Sequence, residues 1–386
     1  MRRRTIILLC MLSSFSGFAQ DSTATTEENK KFTFSGYIDT YYFGNLNNPA
    51  SRNNLGASGT ARAFDQRSGT FGLGLVQTKI TYSPNEKSDV VVDLTFGPNA
   101  DLGNYGNVIG PLGGGSTSLA IKQAYFNWRP IKKLTLTAGQ FGTHIGYEVI
   151  DAPINYNYSL SNLFNNGPFY HIGVKAQYAF TDKIALMAGV VNNVDALYDN
   201  NRSKGIIGQL ALVPVTGWNL YLNGIVSSEA DADSTGSTPP GTYALGDVTT
   251  TYLVTDKFLV GLNAAFGSQT GNYQAGTDQD STTAKTWGGV AVYTNYSFKP
   301  TFSLGARYEV FDNTSAVRAL RISTTEGLVM QSATLTGTFT AASGHLLIKP
   351  EVRMDMANKE FFNSTTAGLY DLKTQTTIGM ALIYKY

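Results

Sequence analysis

The chain has 386 residues, a formal charge of +1 from 29 basic and 28 acidic side chains, and one cysteine, Cys10. A balance this close to neutral argues against nucleic acid as a partner, and a lone cysteine rules out a disulfide framework. Charged residues are 15% of the sequence, below the roughly 25% usual in soluble domains, while aromatics reach 12% with 22 Tyr and 21 Phe.

Residues 1–19, MRRRTIILLCMLSSFSGFA, carry three arginines, a short apolar run from Ile6 to Leu12 and small residues ending at Ala19. That is the layout of a secretory signal peptide cleaved after Ala19, and the run is too short for a helix spanning a bilayer, which needs about 20 residues. Cys10 lies inside it without a preceding small residue, so it is not read as a lipid attachment site. Removing Arg2, Arg3 and Arg4 takes the formal charge to −2 and leaves no cysteine, so an exported fold must hold by hydrogen bonds and packing alone. Residues 20–30, QDSTATTEENK, read as a flexible linker. The remainder, 31–386, forms one unit.

From Lys31 onward the apolar residues alternate with period two, as strands require. FTFSGYIDTYY (32–42) sets Phe32, Phe34, Ile38 and Tyr42 against Tyr37, Asp39 and Tyr41. GVKAQYAF (173–180) sets Val174 and Phe180 against Lys175 and Gln177. WNLYLNGIV (218–226) sets Leu220, Leu222 and Val226 against Asn219, Tyr221 and Asn223. TFSLGARYEVF (301–311) sets Tyr308 and Val310 against Arg307 and Glu309. LLIKPEVRMDM (346–356) sets Ile348, Val352 and Met354 against Lys349, Glu351, Arg353 and Asp355. Two segments are less regular: 70–82 slips phase near Leu75 and Val76, which suggests a bulge, and 245–254 is weakly apolar. Beyond the signal no run of 18 apolar residues occurs, so a membrane could be crossed only by a closed sheet.

The connections sort by length. Seven are short: PNEKSD (84–89), PIKK (130–133), TDK (181–183), PVTG (214–217), TDK (255–257), KPT (299–301) and ASGH (342–345). Eight are long and polar: 45–67, 98–118, 143–167, 192–204, 228–244, 267–285, 312–331 and 356–369. Alternating short and long links predict an all-β fold, a transmembrane antiparallel β-barrel of about 16 strands with short periplasmic turns and long extracellular loops. The expected location is the outer membrane of a Gram-negative bacterium.

Energetics orient the strands. A Lys or Arg facing lipid at mid-depth costs about 2–4 kcal/mol, so Asp39, Asp93, Lys175, Arg307, Glu309, Lys349, Glu351, Arg353 and Asp355 are expected to line a water-filled interior. Both signs are present in similar numbers, which predicts modest ion selectivity. Sixteen strands leave room for a channel. The 143–167 loop is richer in Tyr, Asn and apolar residues than an exposed loop needs and is expected to fold inward, with Tyr147, Glu148, Asp151, Tyr156 and Tyr158 near a constriction. Trp128 and Trp218 suit an aromatic girdle at the short-turn rim, and Trp287 one at the opposite rim. At the end of the chain, Ile378, Met380, Leu382, Tyr384 and Tyr386 share one face. Such an alternating aromatic terminus resembles the signal by which the barrel assembly machinery captures outer-membrane proteins.

The segments GYIDTYY (36–42), QAYFNWRP (123–130), TAGQFGTHIGYE (137–148) and KPEVRMD (349–355) resemble the OmpL-like family of beta-barrel porins and, more distantly, the phosphate-selective porins. The resemblance spans nearly the whole of 31–386. It implies passive diffusion of small hydrophilic solutes, narrowed by the segment after GQFGTHIGYE. It does not carry over an anion ladder, since basic residues are not concentrated on neighbouring strands. Expected partners are outer-membrane lipid, the assembly machinery and the solutes, with homo-oligomerisation left open. Two other classes remain: a barrel enzyme of lipase or protease type, and a secreted β-rich adhesive or carbohydrate-binding protein. Against an enzyme, His144, His171 and His345 sit in no motif of catalytic spacing. No cofactor is expected, and no metal cluster or phosphate loop is seen; the Gly-rich PLGGGST (111–117) lies in a long loop without a following helix.

Overall fold

The computed structural model describes residues 32–57, 59, 61–103, 121–199, 201–230, 241–270 and 283–386. The expected signal segment and linker, and the PLGGGST stretch, lie outside them. Sixteen antiparallel strands pair in sequence order and close, the first against the last. The first half comprises β1 (Phe32–Asn45), β2 (Thr70–Asn85), β3 (Ser88–Phe96), β4 (Ile121–Ile131), β5 (Leu134–Gly142), β6 (Tyr170–Thr181), β7 (Ile184–Val191) and β8 (Gly205–Leu212). The second comprises β9 (Trp218–Ser228), β10 (Thr242–Thr255), β11 (Phe258–Gln269), β12 (Lys285–Lys299), β13 (Phe302–Asp312), β14 (Val329–Ala341), β15 (Leu346–Ala357) and β16 (Thr374–Lys385). Two short helices, α1 (Pro98–Gly103) and α2 (Asn162–Asn166), lie in long loops.

The strand number is the one the loop lengths predict, and all seven short links fall where expected. Their chemistry is local. In the two TDK turns the preceding threonine caps the bend: Thr181 Oγ1 accepts from the Lys183 amide at 3.1 Å, and Thr255 Oγ1 accepts from the Phe258 amide at 3.1 Å. At the seam Tyr37 pairs with Lys385 and Asn45 with Thr377. The Tyr386 hydroxyl reaches past β1 to donate to the Gln77 carbonyl of β2 at 2.8 Å, and its ring lies 5.7 Å from that of Phe34. The terminal aromatic therefore ties three strands together.

Outward positions are predominantly apolar, as contact with lipid requires; Phe34, Leu222, Val292, Leu335 and Ile378 are all exposed. Thr250 on β10 shows how a polar residue is tolerated there. Its hydroxyl donates to the Asn219 carbonyl at 2.7 Å and accepts from the Trp218 indole at 2.8 Å, so no polar atom is left bare.

Two bulges re-aim side chains inward. Ile38 pairs with Val76 and Thr40 with Leu73, so Gly74 and Leu75 oppose Asp39 alone. This is the phase slip expected near Leu75: Phe71 and Leu73 face out, whereas Leu75 and Gln77 face in. Asp93 pairs with Gln123 and Leu94 with Ile121, so Lys122 is the extra residue of β4 and turns to Asp93 inside the barrel.

Trp287 departs from expectation. It points inward and is 3% exposed, packing on Phe311 with ring centroids 6.0 Å apart and lying under the Arg318 guanidinium at 5.1 Å. It therefore belongs to no lipid-facing girdle, whereas Trp128 and Trp218 do face out near the short turns. Gly267, paired with Trp287, makes room for the indole, since a Cβ there would sit 2.3 Å from the ring. Gly267→Ala should cost about 1–3 kcal/mol by overpacking. The expected readout is a lower temperature for loss of the compact gel band; an unchanged temperature would show that the ring moves aside freely.

The interior is less polar than the strand pattern alone implies. Inward residues such as Met187, Ile207, Ile225, Leu245 and Phe311 join Ile145, Tyr147 and Leu163 of the β5–β6 loop in one buried cluster. Tyr37, Tyr41, Phe43 and Leu75 join Ala152 and Tyr158 in another. An incoming loop supplies what a wide barrel lacks, something for inward apolar side chains to pack against.

Candidate functional site

The β5–β6 loop enters the barrel and lies against the inner wall of β13 to β16, held largely through its backbone. Along β15 the alternating charges meet alternating backbone groups. Lys349 donates to the carbonyls of Ala152 and Asn155. Glu351 accepts from the amides of Tyr158 at 2.7 Å and Ser159 at 3.1 Å. Arg353 donates to the Leu160 carbonyl at 2.6 Å. On β13, Arg307 donates to the Ser159 carbonyl at 2.7 Å, and Glu309 accepts from the amide of Asn162, the first residue of α2, at 2.8 Å. Ser161 caps the same helix, accepting from the Phe164 amide at 3.0 Å.

Carboxylates and cations of loop and wall also pair. Arg307 is in contact with Glu148 of the loop, and Glu148 accepts from the Ser161 amide at 2.7 Å. Arg353 lies 2.8 Å from Asp355, which also takes Arg62 at 2.8 Å, Ser332 and Gln375. Arg62, itself bound to Asp65, arrives from the β1–β2 loop, so a second loop contributes to the plug. Asp39 accepts from the Tyr158 hydroxyl at 2.7 Å and from the Leu75 amide. Burial and then the Asp39 charge hold the Tyr158 phenol well above its ordinary pKa, so it stays a donor.

Asp39, Arg307, Glu309, Lys349, Glu351, Arg353 and Asp355 therefore face inward, as expected, but each is at most 3% exposed. They lie beneath the loop instead of bordering open water. Buried charges of both signs are tolerable because each finds a partner or fixed dipoles. Asp93, itself 1% exposed, and Lys175 lie elsewhere: both border a cavity of about 580 Å³ along the opposite wall, from β1 to β6, at β8 to β10 and at the end of β16. This cavity runs from Lys385 and Arg129 near the short turns to Phe169 and Tyr170 at the long-loop end.

The remaining expected loop residues divide between plug and cavity. Tyr147 stacks on Tyr293 of β12, centroids 4.0 Å apart, and Tyr156 borders a small gap together with both. Asp151 borders the cavity, bound to Lys122 at 2.6 Å and to Gln77 at 2.7 Å. Ile378, Met380, Leu382, Tyr384 and Tyr386 are all exposed on the outer face of the barrel. Lys79, Lys122, Arg129 and Lys385 also border the cavity. Inward parity on β2, β4 and β16 could have found three of them, whereas Lys122 depends on its bulge.

His144 and His171 lie side by side, rings 5.8 Å apart. His144 donates from Nε2 to the Gly224 carbonyl at 3.2 Å. Burial, and then the Lys175 charge, push its pKa down to about 4, so it is neutral at pH 7. His171 Nε2 meets Thr143 Oγ1 at 3.1 Å, but its Nδ1 has no hydrogen-bond partner, so no carboxylate orients the ring as a catalytic base requires. Among the described residues no group of three or more His, Cys, Asp or Glu is arranged to hold a metal.

A protein-family model described as "Putative beta-barrel porin-2, OmpL-like" matches residues 31–386. No curated protein matches significantly. Among solved structures, the chain is similar in fold to OprB of Pseudomonas putida (TM-score 0.57, 11% identity, 92% of this chain and 94% of that chain). It is also similar to the channel DcaP of Acinetobacter baumannii (TM-score 0.56, 13% identity, 92% and 97%). A third is the anion-selective porin of Comamonas acidovorans (TM-score 0.55, 10% identity, 92% and 99%).

Proposed function

We propose, from the premise that the chain belongs to the beta-barrel porin-2, OmpL-like family and is an outer-membrane channel, that small hydrophilic solutes diffuse passively along the cavity beside the β5–β6 loop. The observation that carries this reading is the division of the interior, with one wall sealed by the loop and the other bordering a cavity lined from Lys385 and Arg129 to Phe169 and Tyr170. The loop then sets the bore, and the short turns face the periplasm. Supporting a non-enzymatic role, the buried histidines lack an orienting acid. The outward alternation ending at Tyr386 is suited to capture by the barrel assembly machinery before its residues close the seam. A trimeric form is recorded for the OmpT of Vibrio cholerae, similar in fold at TM-score 0.53, and assembly of this chain into homo-oligomers is consistent with that.

Deleting residues 150–163 should raise single-channel conductance several-fold in planar bilayers, because the deleted segment carries Asp151, Tyr156 and Tyr158 and most of the backbone groups that seal the far wall. The strands and turns are untouched, so a folded barrel should still form. Unchanged conductance from that barrel would show that the loop does not set the bore.

A further inference from the structure

The sequence holds inward charges of both signs in similar numbers, but the structure distributes them unequally between the sealed wall and the open one. Bordering the cavity are Lys79, Lys122, Arg129, Lys175 and Lys385, against Asp93, Glu148 and Asp151. Asp93 and Asp151 share one cation, Lys122, with Lys79 opposite Asp93 in register, and Glu148 is engaged by Arg307 from behind, so the cations bordering the cavity still outnumber the acids. Arg129 is likewise engaged, by Asp89. Lys79, Lys175 and Lys385 are different. Among the described residues none of the three is in an ion pair.

We propose that the passage favours small oxyanions, of the carboxylate or phosphate class, over cations, and that Lys79, Lys175 and Lys385 set this preference. The inference rests on the channel reading above. Geometry places the three along the route. Lys385 pairs with Tyr37 and Lys79 with Ser35 on the intervening β1, so two ammonium groups flank one strand near the periplasmic end. Lys175 stands further up on β6 over the face of Phe141, 4.3 Å from its centroid. Phe141 is apolar and supplies no countercharge, and both residues border the cavity. Inward acids away from the cavity, such as Asp39, Asp247 and Glu351, do not offset them. Asp39 is capped by Tyr158 and Leu75, Asp247 is enclosed by Asn223, Asn263 and the Gly146 amide, Glu351 is held by the Tyr158 and Ser159 amides, and none of the three borders the cavity. A lysine met at about 4 Å in water favours an anion over a neutral solute on the order of fivefold, and disfavours a cation similarly.

Reversal potentials measured across a potassium chloride gradient test this directly. The parent channel should be anion-preferring, and acetate and inorganic phosphate should carry current when they replace chloride. The variant Lys79→Gln, Lys175→Gln, Lys385→Gln should lose most of that preference. A control with Lys183→Gln, Lys257→Gln and Lys299→Gln, three exposed turn positions, should keep it. A conducting parent with no anion preference, or a conducting triple variant whose reversal potential has not moved, would overturn the assignment. Passage of chloride without acetate or phosphate would overturn the oxyanion class. A folded, heat-modifiable parent that never conducts would overturn the channel reading and this inference with it.

Discussion

Arg307→Ala should release the β5–β6 loop from the wall while leaving the barrel closed. Truncation removes the cation in contact with Glu148 and near Glu309, and the donor to the Ser159 carbonyl, all of them buried. Removing one member of a buried ion pair costs about 3–5 kcal/mol because the partner charge is left uncompensated. Applied to loop docking, that is a shift of a hundredfold or more toward the undocked state. The expected result is larger, fluctuating single-channel conductance, together with protease cleavage between residues 150 and 163 that the parent resists. Heat-modifiable migration should persist, since the strand pairing of β13 to β12 and β14 uses the backbone. Parent-like conductance and protection would mean that the other wall contacts suffice and that Arg307 is not the principal anchor. Replacement of Lys349 and Arg353 by Glu belongs with this experiment, since both lie beneath the loop. Its main effect is expected on bore and not on ion preference.

A second large effect is expected on the lipid face. Val292 lies mid-strand on β12 and points outward, so Val292→Arg should cost about 2–4 kcal/mol. The same residue introduced by Gln177→Arg, which borders the cavity, should cost far less. Comparing denaturant midpoints of the two refolded variants in lipid checks the orientation of the sheet. Equal midpoints would contradict it.

The alternation in LLIKPEVRMDM, together with sorted link lengths, was enough to predict a barrel, its strand number and which side of β15 faces inward. What could not be read there is what the inner face meets. Lys349 and Lys175 have the same signature, a cation alternating with apolar neighbours, yet one is sealed under the loop and the other borders the passage. The difference depends on contacts between residues nearly two hundred positions apart, such as Lys349 with Ala152. Arg62 was missed for a related reason, since it lies in a loop without periodicity. Trp287 was misplaced because β12 is apolar or small on both sides around it, with Trp287, Gly289 and Ala291 on one face and Gly288, Val290 and Val292 on the other. Phase there is set by pairing with β11 and β13 rather than by composition.

The way the plug is held has a consequence for how such a pore can change. Glu351, Arg353, Lys349, Arg307 and Glu309 grip amides and carbonyls, groups that every residue type except proline supplies in full. Specification of the dock is thus concentrated in the barrel, and many loop side chains are released from it. A lineage could rewrite the passage-facing residues of the insert one by one, altering which nutrients get through, while the same five wall residues keep it seated.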